Sequence, residues 1–274
     1  MLAWIGLAPI ACWSVTLPMK SSSNVQPHQG LARFISAARG ELGVVLALLV
    51  LAGGILAALH LSEEVGEGDT RVFDLRVLQA LRAGDPHILI GPKWLHIAAA
   101  DITALGSVTV LSLFVLLALG LLLSLRRWSA ALVLLAGAVG GVEISQGLKY
   151  VFLRERPDLV YRAVEASNPS YPSGHAMLSA VVFLTLGTLA ARFSTKRRIK
   201  VMAIGSAVLV SLLVGASRIY LGVHWTSDVL AGWSMGAAWA MACWLAAWAW
   251  ERRTGRRLAS PTVDVDPPGA CSSS

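Results

Sequence analysis

Residues 106–125 form a stretch of twenty residues without a single charged side chain. About 20 apolar residues in helical form cross the hydrocarbon layer of a bilayer. A chain with such a run must bury it in lipid or in an unusually large core. Five further stretches are also long and mainly apolar, with at most two charged residues each: 42–61, 129–150, 173–193, 200–216 and 225–250. Hydrophobic residues make up 55% of the 274 and charged residues only 14%, where soluble domains carry about 25% charge. The pattern predicts an all-α fold: a polytopic membrane helical bundle with six transmembrane helices.

The flanks divide the chain. Residues 2–19 are apolar but lack a basic amino-terminal region, and Pro9 and Pro18 interrupt them, which fits a signal peptide poorly. Residues 20–40 are polar and read as a flexible linker, and the Pro- and Ser-rich end from 258 reads as a disordered tail. The expected organisation is a hydrophobic leader and linker at 1–41, a membrane domain at 42–257 and a tail at 258–274. Between the first two spans, Val72, Leu75, Leu78 and Leu81 recur at near-helical spacing with Asp74, Arg76 and Arg82 among them. That suits either an amphipathic helix lying in the membrane interface or an ordinary covering helix.

The formal charge is +7. Its distribution points to membrane orientation rather than nucleic-acid binding. Arg33 and Arg39, Arg126 and Arg127, Lys196 to Lys200, and the four arginines 252, 253, 256 and 257 all fall on one predicted side. That side is expected to be cytoplasmic. The other side receives 62–105, 151–172 and 218–224.

The polar residues at the outer ends of spans three to six are the unusual ones, because ionisable groups at membrane depth are costly. Lys149 and Arg156-Pro157 leave span three; either cation alone reads as a helix-end anchor. Pro172-Ser173-Gly174-His175 opens span four, where a helix start with glycine offers backbone N–H groups to an anion. Ser217-Arg218, His224 and Asp228 cross the turn between spans five and six. Four residues apart on a helix, His224 and Asp228 would share a face, the carboxylate holding one ring nitrogen and aiming the other. Three cations, a helix start and two histidines suit a phosphate dianion. The three cysteines (12, 243 and 271) and the carboxylates have no metal-ligand spacing, so no metal and no cofactor are expected.

Lys149-x6-Arg156-Pro157, Pro172-Ser173-Gly174-His175 and Ser217-Arg218-x5-His224-x3-Asp228 together resemble the three-part signature of the type-2 phosphatidic acid phosphatase family, related to vanadium haloperoxidases and bacterial acid phosphatases. The likeness covers about 42–250. It implies a lipid phosphatase in which His224 is the nucleophile that forms a phosphohistidine, Asp228 orients it, and His175 is the general acid and then the base. It further implies that Lys149, Arg156, Ser173, Gly174 and Arg218 bind the phosphate. Ser217 is expected to support the loop, and Arg154 and Glu155 to solvate it. Glu143 either pairs with a basic group or faces the bundle, while Tyr171 and Trp225 read as interface anchors.

Expected partners are a lipid phosphate substrate and membrane lipids, with no nucleic acid. Nothing in the residues points to an oligomeric state. Undecaprenyl diphosphate, phosphatidylglycerol phosphate and phosphatidic acid all fit the family. A plasma-membrane location with the site on the extracytoplasmic face is expected. A phosphotransferase using the same intermediate, or a transporter without catalysis, are the competing readings; vanadate-dependent halide oxidation suits the membrane setting poorly.

Overall fold

The computed structural model describes residues 27–255, with side chains from 42 onward. The expected leader at 2–19 and the tail at 258–274 lie outside the described residues. By its contacts the chain divides into two units, Met1–Leu42 and Gly43–Ser274, and the second carries the helix bundle. The described residues are helical throughout, apart from connecting segments and one isolated antiparallel bridge between Arg82 and Leu89. In order they form α1 (Pro27–Glu67), α2 (Arg71–Ala80), α3 (Lys93–Ala104), α4 (Val108–Ser124), α5 (Trp128–Phe152), α6 (Gly174–Phe193), α7 (Arg197–Tyr220) and α8 (Thr226–Thr254), with one 3-10 turn at Leu159–Tyr161. From Pro27 on, the segment read as a linker is therefore the beginning of α1.

Five helical stretches are each long and apolar enough to cross a membrane: Leu42–Glu67, Trp128–Phe152, Gly174–Phe193, Arg197–Tyr220 and Thr226–Thr254. A sixth candidate span is the bent pair α3 and α4, long and apolar enough only when the two are taken together, with 51° between them. Sequence placed this span at 106–125 and left α3 in an outer loop. Alone, α4 has only 17 residues, just under a full crossing. The break falls at 105–107, where Ser107 caps α4 by accepting a hydrogen bond from the Val110 N–H at 3.3 Å. Gly106 sits in this break because nothing larger fits: a Cβ there would lie 2.4 Å from Val214 Cγ1 and 3.2 Å from His175 Cβ.

The bundle is built round α6. Of its most apolar window 61% is buried, against 11% for the α1 span. Between helices in lipid the hydrophobic effect gives little, so close approach through small residues does the work. Gly232 and Gly236 of α8 supply it. A Cβ at Gly232 would stand 2.8 Å from the Ser173 carbonyl oxygen, and one at Gly236 2.5 Å from that of Met177. Two tryptophans then pin α8 sideways. Trp233 Nε1 donates to the Ser211 carbonyl of α7 at 3.0 Å, and Trp239 Nε1 to the Gly137 carbonyl of α5 at 3.0 Å. A second apolar core, with Leu111, Leu134, Leu178 and Val182 at its centre, joins α4, α5 and α6.

This packing fixes the two ends of the bundle. Arg192, near the end of α6, pairs with Glu251 near the end of α8 at 2.9 Å, and Arg127 lies over the Phe193 ring at 5.8 Å. The basic ends of α5 to α8 thus gather together. At the opposite end stand the last turn of α5, the first of α6, the last of α7 and the first of α8, which carry the predicted site.

Over that end lies α2, and its inward face differs from the expected apolar stripe. Asp74 and Leu78 are buried, while Val72 and Phe73 are exposed at 59% and 51%. It turns a carboxylate inward over the site end, and the reason is an ion pair at the site. Arg82 clips the same layer down: its guanidinium donates to the carbonyls of Pro86 at 3.0 Å, Tyr220 at 3.2 Å and Tyr161 at 2.5 Å.

Candidate active site

His224 does not lie on a helix, contrary to the sequence reading: α8 begins at Thr226. The pairing with Asp228 arises from helix capping instead. As third residue of α8, Asp228 reaches back so that Oδ2 accepts the Trp225 N–H at 2.9 Å, a reciprocal contact typical of helix starts. This carboxylate oxygen then lies 3.5 Å from His224 Nδ1, at the limit of a hydrogen bond and not aligned as one. The hydroxyl of Ser170 donates to the same oxygen. On its other side the imidazole meets a cation, since Arg156 Nη1 is 3.1 Å from Nε2. A guanidinium can only donate, so Nε2 is the unprotonated nitrogen and Nδ1 carries the hydrogen toward Asp228.

Burial pushes the His224 imidazole down to about 3, helped by Arg156 and Arg218 and opposed by Asp228. The ring is therefore neutral at physiological pH, with a free electron pair on Nε2. The Arg156 guanidinium is itself lowered by burial, to about 10, and stays cationic. It is held by donation to the Val223 and Asn168 carbonyls, both at 2.6 Å.

These groups line a cavity of about 280 Å³. Lys149, Arg156 and Arg218 all reach its wall, with His175, His224 and Gly174. Lys149, on the last turn of α5, donates to the Pro169 carbonyl at 2.6 Å, which draws the 151–172 connection over the site. Arg218 donates to Thr103 Oγ1 of α3 at 3.2 Å and leaves its buried Nε without a partner. Asp228 and Ser173 stand behind the wall rather than in it. Ser173 is fully buried; its N–H donates to the Asp228 carbonyl at 3.0 Å, and its hydroxyl has no partner. That bond ties the start of α6 to the start of α8 and directs the first-turn N–H groups, unpaired in any helix, from Gly174 onward. Ser217 is buried and bonds the Val214 carbonyl of its own helix at 2.7 Å, a supporting position.

Two sequence readings need correction. Tyr171 is no interface anchor: it is wholly buried, stacks near Phe152 at 4.7 Å and shares a 2.7 Å hydrogen bond with Ser62 of α1. Arg154 does not merely solvate the loop. It bridges two buried carboxylates, Asp228 Oδ1 at 2.5 Å and Asp74 Oδ2 at 2.9 Å. The local sequence signal for Arg154 was its place two residues before Arg156. For Asp74 there was none, since it meets Ser227 across 153 positions.

A second, apolar groove of about 440 Å³ runs between α4, α5 and α6. Val108, Val142 and Leu178 line both it and the polar cavity. Glu143, exposed, lines the groove rather than pairing with a basic group near the site. Among the described residues no group of three or more His, Cys, Asp or Glu is placed to hold a metal ion.

Comparison with known proteins places the chain in a family. The family model described as PAP2 superfamily matches residues 127–252. Phosphatidylglycerophosphatase B of Bacillus subtilis is 35% identical over 153 residues, covering 54% of this chain and 73% of that protein. The undecaprenyl-diphosphatase of Sulfolobus acidocaldarius is 31% identical over 122 residues, covering 43% and 55%. Among solved structures, that of a transmembrane PAP2-type phosphatidylglycerolphosphate phosphatase from Bacillus subtilis superposes with a TM-score of 0.65 at 26% identity, over 76% of this chain and 98% of the other. With its helices of membrane-spanning length and its three signature segments drawn round one cavity, this chain is a multi-pass membrane protein of the PAP2 superfamily.

Proposed function

We propose that this protein hydrolyses the phosphomonoester or diphosphate of a membrane lipid through a phosphohistidine on His224, without a metal. The observation that carries the reading is the meeting, round one cavity of about 280 Å³, of Lys149, Arg156 and Arg218 with a neutral, oriented His224 and with His175. Three cations and a helix start match the oxygens of a phosphoryl group and the charge that spreads over them in the transition state.

In the first step the Nε2 electron pair of His224 bonds to phosphorus while the bond from phosphorus to the leaving oxygen breaks. Asp228 balances the positive charge that develops on the ring. His175, at the cavity wall, gives its proton to the leaving oxygen. In the second step His175 takes a proton from water, the water oxygen bonds to phosphorus, and the N–P bond breaks. Inorganic phosphate and neutral His224 result. The donor set supports metal-free chemistry: its charge comes from guanidinium and ammonium groups, and the one carboxylate beside His224 is held by Arg154, Ser170 and the Trp225 N–H.

The lipid class is supported by the groove. Through Val108, Val142 and Leu178 it leads from the polar cavity down the bundle between α4 and α5, which lets a headgroup enter the site while its tail stays apolar. The names of the relatives bring phosphatidylglycerol phosphate and undecaprenyl diphosphate forward as substrates, with phosphatidic acid as a third. The cationic helix ends lie opposite the site, which favours a plasma-membrane protein working at the extracytoplasmic face. We place the catalytic unit within 42–257.

The test is phosphate release by the detergent-purified protein from these three lipids, with His224→Ala as control. Release by the wild type alone ranks the substrates and supports the nucleophile. Equal release by both proteins would remove His224 from the chemistry.

A further inference from the structure

We propose that Asp74 and Arg154 form a positioning pair that holds the Asp228 carboxylate in its working orientation, so that helix α2, on the outer surface, takes part in setting the rate of the chemical step. This rests on the reading in which His224 attacks phosphorus and Asp228 orients it.

One oxygen of Asp228, Oδ2, faces His224 and is held by Ser170 and the Trp225 N–H; the tilt of the carboxylate about that oxygen is set by what holds the other, Oδ1. Arg154 fixes it. Nη1 donates to Asp228 Oδ1 at 2.5 Å and to Ser227 Oγ at 2.8 Å, while Nη2 donates to Asp74 Oδ2 at 2.9 Å and to Thr70 Oγ1 at 3.1 Å. Asp74 also grips the helix that bears Asp228: its Oδ1 accepts the Ser227 N–H at 2.9 Å, and its Oδ2 accepts the Ser227 hydroxyl at 2.5 Å. It therefore acts on Asp228 twice, through the guanidinium and through the first turn of α8.

The environment points to placement rather than to fastening alone. Both carboxylates have 0% side-chain exposure and Arg154 has 15%. A buried ion cluster of this kind seldom stabilises a fold more than apolar side chains of the same volume would, so its presence beside a catalytic carboxylate calls for a reason in the chemistry. The charge balance supplies one. On the Asp228 side of the ring, two carboxylates and one guanidinium leave one net negative charge, which faces the positive charge formed on His224 during attack, while Arg156 stands on the opposite side. Neither Asp74 nor Arg154 lines the cavity, so both act through Asp228 and not on the substrate.

The test uses the full chain in detergent, with kcat and KM measured on whichever of the three lipids the wild type hydrolyses, and the inhibition constant of inorganic phosphate as a measure of an intact cation pocket. Arg154→Gln is expected to lower kcat about a hundredfold, the size of loss that a misplacement of about 1 Å causes, with KM and phosphate inhibition nearly unchanged. Arg154→Lys keeps the charge but loses the planar fork that reaches the two carboxylates from separate nitrogens and should fall between Arg154→Gln and wild type. Asp74→Asn should lower kcat about tenfold, and the double variant should be no slower than Arg154→Gln alone, because coupled residues are not additive. Three results would overturn the proposal: unchanged kcat in Arg154→Gln or Asp74→Asn, a loss confined to KM and phosphate inhibition, or single effects that multiply in the double variant. If Arg154→Gln loses phosphate inhibition as an unfolded protein would, the near-isosteric Asp74→Asn decides alone. A wild type inactive on all three lipids would overturn the reading of the site itself; an active wild type beside an unaffected Arg154→Gln overturns only the positioning pair.

Discussion

Arg156 Nη1 lies 3.1 Å from His224 Nε2. A cation against the atom proposed to attack phosphorus does two things. It keeps that nitrogen unprotonated, and it sits where a phosphoryl oxygen must be when attack occurs. On the proposed mechanism, an entering phosphate gives the guanidinium a dianion to turn to, and the electron pair it occupied is released for attack.

A pH profile tests this contact. His224 is held at about 3 chiefly by burial, then by Arg156, with Asp228 opposing. A depressed histidine stays neutral as pH falls through its ordinary range and protonates only near its lowered value. The acid limb of kcat/KM that belongs to His224 is therefore expected near 3 in the wild type. Arg156→Gln removes one downward push, so His224 protonates at higher pH and the limb moves up, along with a fall in rate from the lost phosphate contact. Using one substrate for both proteins cancels the ionisation of the substrate itself. A limb that stays in place would show that Arg156 does not act on the ring.

The second prediction concerns the nucleophile and the donor set together. His224→Ala should lower phosphate release by about a thousandfold or more, as loss of a nucleophile does elsewhere. Vanadate, which adopts the five-coordinate geometry of the transferring phosphorus, should inhibit competitively. EDTA should leave kcat unchanged. An activity lost to chelator and restored by a divalent cation would exclude the metal-free mechanism.

Much of this site is legible without the fold. Lys149, Arg156, Arg218, His175, His224 and Gly174 all stand out in the sequence, and all reach one cavity wall. They can be read because each lies within a few residues of a helix end, where local spacing sets position. The exceptions depend on tertiary contacts. Asp74 reads as a polar residue on a surface helix, because nothing near it in sequence shows that Arg154, 80 positions away, would turn it inward. Tyr171 reads as an anchor for the same reason, since Ser62 lies 109 positions away. The five single-helix spans and the apolar run of α4 are legible from hydropathy, but the 51° bend between α3 and α4 is not. It depends on Gly106 fitting against Val214 and His175, a contact between residues far apart in the chain.

That contact gives the third prediction. At Gly106 a Cβ would lie 2.4 Å from Val214 Cγ1, and 3.2 Å from both Cβ and Cδ2 of His175. Overpacking of this kind costs about 1–3 kcal/mol, and the movement it forces falls on the proposed general acid. Gly106→Ala should lower kcat about tenfold or more. Adding Val214→Ala removes the nearest clash and should restore most of the rate. No recovery in the double variant would place the harm in the backbone of the bend instead.

The fourth prediction separates lipid recognition from phosphate chemistry. Val142 of α5 lines both the polar cavity and the apolar groove beneath it, and it stands about 10 Å below Lys149 along a straight helix. On the proposed reading, a tryptophan there fills the place where a headgroup ends and a tail begins, and it replaces none of the three cations or two histidines. Val142→Trp should lower kcat/KM for a long-chain lipid phosphate about tenfold or more, because the tail loses its path and its apolar contacts. A short, water-soluble phosphate ester has no tail to place in the groove, and although Val142 also borders the polar cavity its kcat/KM should fall several-fold less than that of the lipid. The ratio of the two values measures the groove directly. An equal loss on both substrates would mean that Val142→Trp disturbs the cavity itself, and the lipid tail would have to be sought along another face of the bundle.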